Sequence, residues 1–330
     1  MDKKSLSYKI SLFGCLFAGV VVLLGAYTRL VDAGLGCPDW PGCYGFIDVP
    51  DTEEEIKIAE QAYPHAPVEA DKAWPEMIHR YFAGTLGLII ALLAFLAIKA
   101  RADRSQPLVL PLVLLGLVIF QAALGMWTVT MGLLPIIVMG HLLGGFITLA
   151  LLLLLFLKLR AGNRPAYGSP LRNYALIGLI IVFVQITLGG WTSANYAAII
   201  CADFPTCQGH WIPPLDFAGA FQLSQEGITS YLGGFMGNDA RVTVHWLHRL
   251  GALITTLYLL WLVVKLFSNG YPRFAGWLLL VLAVQVALGI SNVVFSLPLS
   301  VAVAHNGVAA LLLLTMVTLL HMLGQQKYRS

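Results

Sequence analysis

The chain has 330 residues, of which 58% are hydrophobic and only 11% charged, and its mean hydropathy is +0.79. Soluble domains carry about 25% charged residues, so this composition excludes an ordinary water-soluble fold and marks an integral membrane protein. The formal net charge of +3 gives no reason to expect a nucleic-acid partner.

Eight apolar runs approach the roughly 20 residues that cross a bilayer as helix. In chain order they are 8–30, 75–98, 107–130, 135–157, 172–193, 242–267, 274–296 and 298–323. The first follows Lys3, Lys4 and Lys9 as a signal peptide would, but no small-residue cleavage site closes it, and it is read as a retained helix. Lys3, Lys4, Lys9, Lys99, Arg101, Arg104, Lys158, Arg160, Arg164, Arg172, Lys265, Arg273, Lys327 and Arg329 fall on one side of this arrangement, with only Asp2 and Asp103 among the acids. The positive-inside rule makes that side cytoplasmic, with both termini inside and the long loops 31–74 and 194–241 outside a bacterial inner membrane. The acidic stretch from Asp48 to Asp71 reads as a solvated outer helix or loop.

The chain is internally duplicated. Gly25, Thr28, Cys37, Cys43, Gln121, Gly125 and His141 recur 164 residues later as Gly189, Thr192, Cys201, Cys207, Gln285, Gly289 and His305. His79-Arg80 recurs as His248-Arg249 at an offset of 169. A repeat fixes architecture before any single residue is interpreted. Four spans per copy is an even number, so the copies share one orientation and are related by an axis along the membrane normal. The expected fold is all-α, with two tandem, parallel-repeat four-helix bundles at 1–160 and 173–330. The linker is 161–172, marked by Gly162, Pro165 and Pro170.

Four of the five cysteines form outer-loop pairs, Cys37 with Cys43 and Cys201 with Cys207. On the outer side thiols stay oxidised, so each pair can close a loop disulfide. For Cys201–Cys207 a plain staple is the favoured reading. Cys37–Cys43, within Cys-Pro-Asp-Trp-Pro-Gly-Cys, also admits a redox role. Cys15 lies mid-span and reads as a small buried side chain.

Among eight histidines, His79, His141, His248 and His305 hold repeat-equivalent places near the outer ends of their spans. His321 reads as a hydrogen-bonded core residue, and His65 and His210 as solvated loop residues. Ionisable groups within a span are costly and functionally suspect. Two imidazoles on facing helices of one bundle are what axial haem ligation requires. Glycines cluster beside them, at Gly84, Gly87, Gly140, Gly144, Gly145, Gly251 and Gly307, where they permit close helix packing and also leave room for a flat macrocycle. Arg80 and Arg249 follow two of the histidines, placed either to pair haem propionates or to snorkel to headgroups. Arg29 and Arg241 are further candidates.

The copies differ at one telling place. Three residues before His79 stands Glu76; three before His248 stands His245. Spacing of i, i+3 puts each pair on one helix face. Glu76 is then either an acid or base beside the pocket or a helix-start carboxylate favoured by the dipole. The mismatch between otherwise matched halves tips the reading toward chemistry in the N-terminal half and a fixed cofactor in the C-terminal half. His245 is either a rival ligand or a pocket wall, and the His-Arg register favours His248.

Gly-Ala-Tyr-Thr-Arg-Leu at 25–30, Glu-Met-Ile-His-Arg at 76–80, Gly-His-Leu-Leu-Gly-Gly at 140–145, His-Trp-Leu-His-Arg at 245–249 and Ala-His-Asn-Gly at 304–307 together resemble the bacterial heme A synthase family over the whole chain. That resemblance implies oxidation of the C8 methyl of haem O to a formyl group by two hydroxylations, giving haem A for cytochrome c oxidase. It implies that His248 and His305 hold a resident haem b, that His79 and His141 position the substrate haem, and that Glu76 assists. It implies a part for Cys37–Cys43 in the reaction or in haem transfer. Haem O synthase (protoheme farnesyltransferase) and oxidase assembly factors are the partners the pathway suggests, and a homo-oligomer is compatible. The rival reading is a di-haem b electron-transfer protein such as a quinol-oxidising subunit. It leaves Glu76 idle and puts all four histidines at one level, where a transmembrane path needs haems stacked across the bilayer.

Overall fold

In a computed structural model, described over residues 3–103, 106–162, 169–224 and 227–325, the chain is all-helical with no named strand. Arg104, Arg164, Lys327, Arg329, Asp2 and the linker residue Pro165 lie outside the described residues. Eight helices are long and apolar enough to span a membrane. They are α1 (Lys3–Leu30), α3 (Ala70–Lys99), α4 (Val109–Thr130), α5 (Pro135–Ala161), α6 (Leu171–Ala194), α8 (Asn238–Ser268), α9 (Pro272–Val294) and α10 (Leu299–Gly324). Two short helices, α2 (Glu53–Ala62) and α7 (Phe217–Ala220), lie in the two long loops.

Helices α3 and α8 begin four or five residues before their apolar runs, because their first turns, with Asp71 and Asp239, are polar and project beyond the run. The acidic stretch does form a helix. Thr52 and Glu55 close a capping box at the start of α2, each bonding the other's backbone N–H. Pro135 and Pro272 open α5 and α9 in the first turn, where a missing N–H costs nothing.

Helices α1, α3, α4 and α5 pack as a closed ring, and so do α6, α8, α9 and α10. Further contacts of α1 with α10 and of α5 with α6 and α10 join the rings. The turns repeat as the sequence does. Asp32, Tyr44 and Leu133 are left-handed, and so are Tyr196, Gln208 and Leu297, each 164 residues on. In the first loop Asp39 accepts from the N–H groups of Tyr44 (2.6 Å) and Gly45 (2.8 Å). In the second, Asp203 accepts from those of Gln208 (2.7 Å) and Gly209 (3.0 Å).

Below the histidines both rings are solid with leucine. Leu149, Leu152 and Leu155 of α5 and Leu259, Leu262 and Leu266 of α8 are fully buried. Lipid is as apolar as leucine, so close packing rather than escape from water holds these helices together. The outer loops are also anchored. Cys37, Cys43, Tyr44, Val49, Ala59, Ala73 and Met77 bury one another, which fixes loop 31–69 onto the start of α3.

Candidate functional site

In the N-terminal ring, His79 of α3 faces His141 of α5, with ring centroids 6.3 Å apart and planes at 89°. With metal–nitrogen bonds of about 2.1 Å and roughly 1.1 Å from nitrogen to ring centre, an iron between two imidazoles would set their centroids about 6.4 Å apart. Nδ1 of each ring is enclosed, with the Val21 backbone beside His79 and the Gln121 backbone beside His141. A histidine that holds a metal through one nitrogen ordinarily has its other nitrogen against such a partner. Among the described residues no three His, Cys, Asp or Glu side chains converge as they would on a protein-ligated ion. Two opposed imidazoles fit a macrocycle, which supplies the remaining nitrogens itself.

The four repeated glycines show why they recur. A Cβ on Gly25 would lie 2.9 Å from Cε1 of His79, and one on Gly125 3.4 Å from that of His141. On Gly189 it would lie 3.0 Å from Cε1 of His248, and on Gly289 3.1 Å from that of His305. Each histidine therefore rests against bare backbone of a neighbouring helix. The pairing of each glycine with one ring was not visible in the sequence. The same test separates the two histidines of α8: His248, not His245, takes the place against Gly189 that His79 takes against Gly25.

Glu76 sits one turn above His79 and is 5% exposed. Its Oε2 accepts from the Cys37 N–H (3.0 Å), and its Oε1 pairs with Nη2 of Arg80 (2.5 Å). Nη1 of Arg80 donates to the carbonyls of Gly42 (2.5 Å) and Pro41 (3.3 Å). Cys37 and Cys43 are joined as a disulfide, as are Cys201 and Cys207. Carboxylate, guanidinium and disulfide loop thus form one unit over the His79–His141 pocket. Gly36 lets the loop cross the first turn of α3, since a Cβ there would meet the backbone of Lys72 and Ala73 at 2.5–2.7 Å.

The second half keeps the clamp and changes the rest. Arg249 donates to the carbonyls of Cys201 (2.7 Å) and Thr206 (2.6 Å), Thr206 being the repeat equivalent of Gly42. His245 is buried and its Nδ1 lies 2.8 Å from the Ala197 carbonyl, which ties its ring to the start of the second outer loop. Glutamine amides stand against His248 and His305. Nε2 of Gln185 lies 3.0 Å from Nδ1 of His248 and donates to its carbonyl at 3.0 Å, and Nε2 of Gln285 lies 3.4 Å from His305. Gln185 carries no repeat signal, since its equivalent in the first half is Val21.

Of the weaker candidates, Arg29 bridges the halves. It donates to the Ser193 carbonyl (2.6 Å), stacks on Tyr196 at 4.0 Å and pairs with Asp32 (3.2 Å). Nε of Arg241 is buried without a partner among the described residues. Cys15 is buried, and His65 and His210 are exposed, as expected. His321 is half-buried where α10 meets α5.

Fold and site together define a multi-pass helical membrane protein with a pair of histidines in each half under disulfide-closed loops. The chain belongs to the COX15-CtaA family of cytochrome oxidase assembly proteins, whose family model matches residues 8–317. It is 50% identical to the heme A synthase of Shewanella oneidensis over 308 residues, 92% of each chain. It is 32% identical over 331 residues to that of Methylobacterium radiotolerans, covering 90% of this chain and 84% of the relative. The heme A synthase of Chelativorans sp. is 30% identical over 321 residues, covering 90% and 85%.

Proposed function

We propose that the chain oxidises the C8 methyl group of haem O to a formyl group, as a heme A synthase of a bacterial inner membrane. The long loops 31–74 and 194–241 face the periplasm and both termini the cytoplasm. The N-terminal bundle, 1–160, receives haem O between His79 and His141, and the C-terminal bundle, 173–330, keeps a haem b between His248 and His305. The resident haem supplies redox chemistry that side chains lack.

The observation that carries the division of labour is Glu76, a carboxylate buried one turn from His79 where the second half has His245, whose ring is tied to the Ala197 carbonyl. Such a carboxylate can move a proton as the methyl carbon is oxidised. The Cys37–Cys43 loop fixes that carboxylate through the Cys37 N–H. Arg80 and Arg249 clamp the two disulfide loops through their carbonyls, and Arg80 also holds Glu76.

Extraction of pigments from membranes made with and without a haem O supply tests this. Haem A is expected only with haem O present. Haem b alone under aerobic turnover would overturn it, and would restore the di-haem electron-transfer reading that the comparisons do not support.

A further inference from the structure

Far from both histidine pockets, a crevice of about 1120 Å³ opens where the two rings meet, at the end of the molecule that carries the short connections. Its walls are α5, α6 and α10. Lys158, Arg172 and His321 line it, and no carboxylate does among the described residues. Neither Lys158 nor Arg172 makes a salt bridge to a described residue. Away from these polar groups the lining turns apolar, reaching Ile147 on α5, Val184 on α6 and Leu313 on α10.

The dimensions are those of one lipid leaflet. From Lys158 to Ile147 is eleven residues of helix, and from Arg172 to Val184 is twelve. At 1.5 Å per residue these are depths of about 16 and 18 Å. Half of a hydrocarbon core of about 30 Å is about 15 Å. Cations therefore stand at headgroup level above an apolar slot that is one acyl chain deep. Basic pockets between spanning helices on this side of a membrane suit anionic headgroups.

We propose that this crevice binds an acidic phospholipid, with its phosphate between Lys158 and Arg172 and an acyl chain in the slot. The lipid joins the N-terminal ring to the C-terminal ring. A free anion would have no use for the apolar depth, and a zwitterionic lipid would bring a cation against Lys158 and Arg172.

The test uses purified, delipidated full-length protein returned to nanodiscs of phosphatidylcholine with increasing phosphatidylglycerol, read by native mass spectrometry and thermal unfolding. About one tightly held phosphatidylglycerol per chain is expected, with a melting temperature that rises as it binds. Lys158→Gln with Arg172→Gln should cut the preference for phosphatidylglycerol roughly thirtyfold, at about 1 kcal/mol per cation removed, while leaving haem content unchanged. Equal retention of both lipids, or an unaltered preference in the double variant, would overturn the proposal. So would a haem pigment, in place of lipid, lost on the same substitutions. Because haem content is read separately, failure here leaves the reading of the histidine pockets untouched.

Discussion

Gly189→Ala should weaken the hold on haem b in the C-terminal pocket by adding one methyl group. The new Cβ would stand 3.0 Å from Cε1 of His248, against a favourable carbon–carbon distance of about 3.5–4.0 Å. The ring must retreat by at least about 0.5 Å. It cannot do so freely, because the Gln185 amide holds both its Nδ1 and its main-chain carbonyl. Overpacking of this kind costs about 1–3 kcal/mol. Charged wholly to ligand geometry, that is roughly a 5- to 150-fold weaker hold on haem b. Alanine is otherwise favoured over glycine in a helix by about 1 kcal/mol. Gly276→Ala on α9, where an added Cβ meets nothing within 4 Å, is therefore a control expected to be neutral or stabilising. The assay is haem-to-protein ratio and Soret spectrum of both purified variants, alongside thermal unfolding. Damage should follow the contact distances, with Gly125→Ala, at 3.4 Å, the mildest of the four. A Gly189→Ala protein with full haem content and an unshifted spectrum would refute the cradle.

Gln185→Leu frees the His248 ring and its carbonyl, and should lower haem b retention in dilution or competition experiments while leaving haem O binding alone; unchanged retention would remove the glutamine from the support of His248. Arg80→Gln should destabilise by about 3–5 kcal/mol, since it strands a buried carboxylate, and Glu76→Gln in the same chain should recover much of that in denaturation. A coupling below about 0.5 kcal/mol between the two sites would show that they act independently. In the second outer loop the Thr206 hydroxyl and the N–H groups of Gly209 and Gln208 hold the Asp203 carboxyl well below the usual carboxylate range. A depressed folded value gives a contribution present above the ordinary range and lost as pH falls through the folded one. The Gln208 and Gly209 amides should thus keep their hydrogen-exchange protection down to about pH 4, and Asp203→Asn should weaken it at neutral pH; wild-type protection lost by pH 6 would contradict this.

All eight spans were legible in the sequence because a bilayer demands long apolar runs, and the duplication paired the loops and the histidines. What escaped was whatever depends on two helices touching. Gly25 and Gly189 were visible as a matched pair, but nothing in a one-dimensional string shows an imidazole lying on each. Gln185 escaped for the opposite reason: it matters where the repeat fails, opposite Val21, and comparison of the copies searches for agreement. The arginines were legible as a motif, yet their donors turn to loop carbonyls that become neighbours only once the disulfides and left-handed turns have folded. Glu76 stood out by contrast with His245, and the structure adds its partners, Cys37 and Arg80.

The division of labour between the pockets is tested most directly by Glu76→Gln, purified after expression with haem O and assayed for pigments. Glutamine keeps the size of the side chain and an oxygen for the Cys37 N–H, and Arg80 keeps its bonds to the Gly42 and Pro41 carbonyls, so the loop should hold. The expected result is about one haem b per chain, bound haem O, and no haem A. Haem A formed at the wild-type rate would contradict a chemical role for the carboxylate and, with it, the assignment of the N-terminal pocket as the one that reacts.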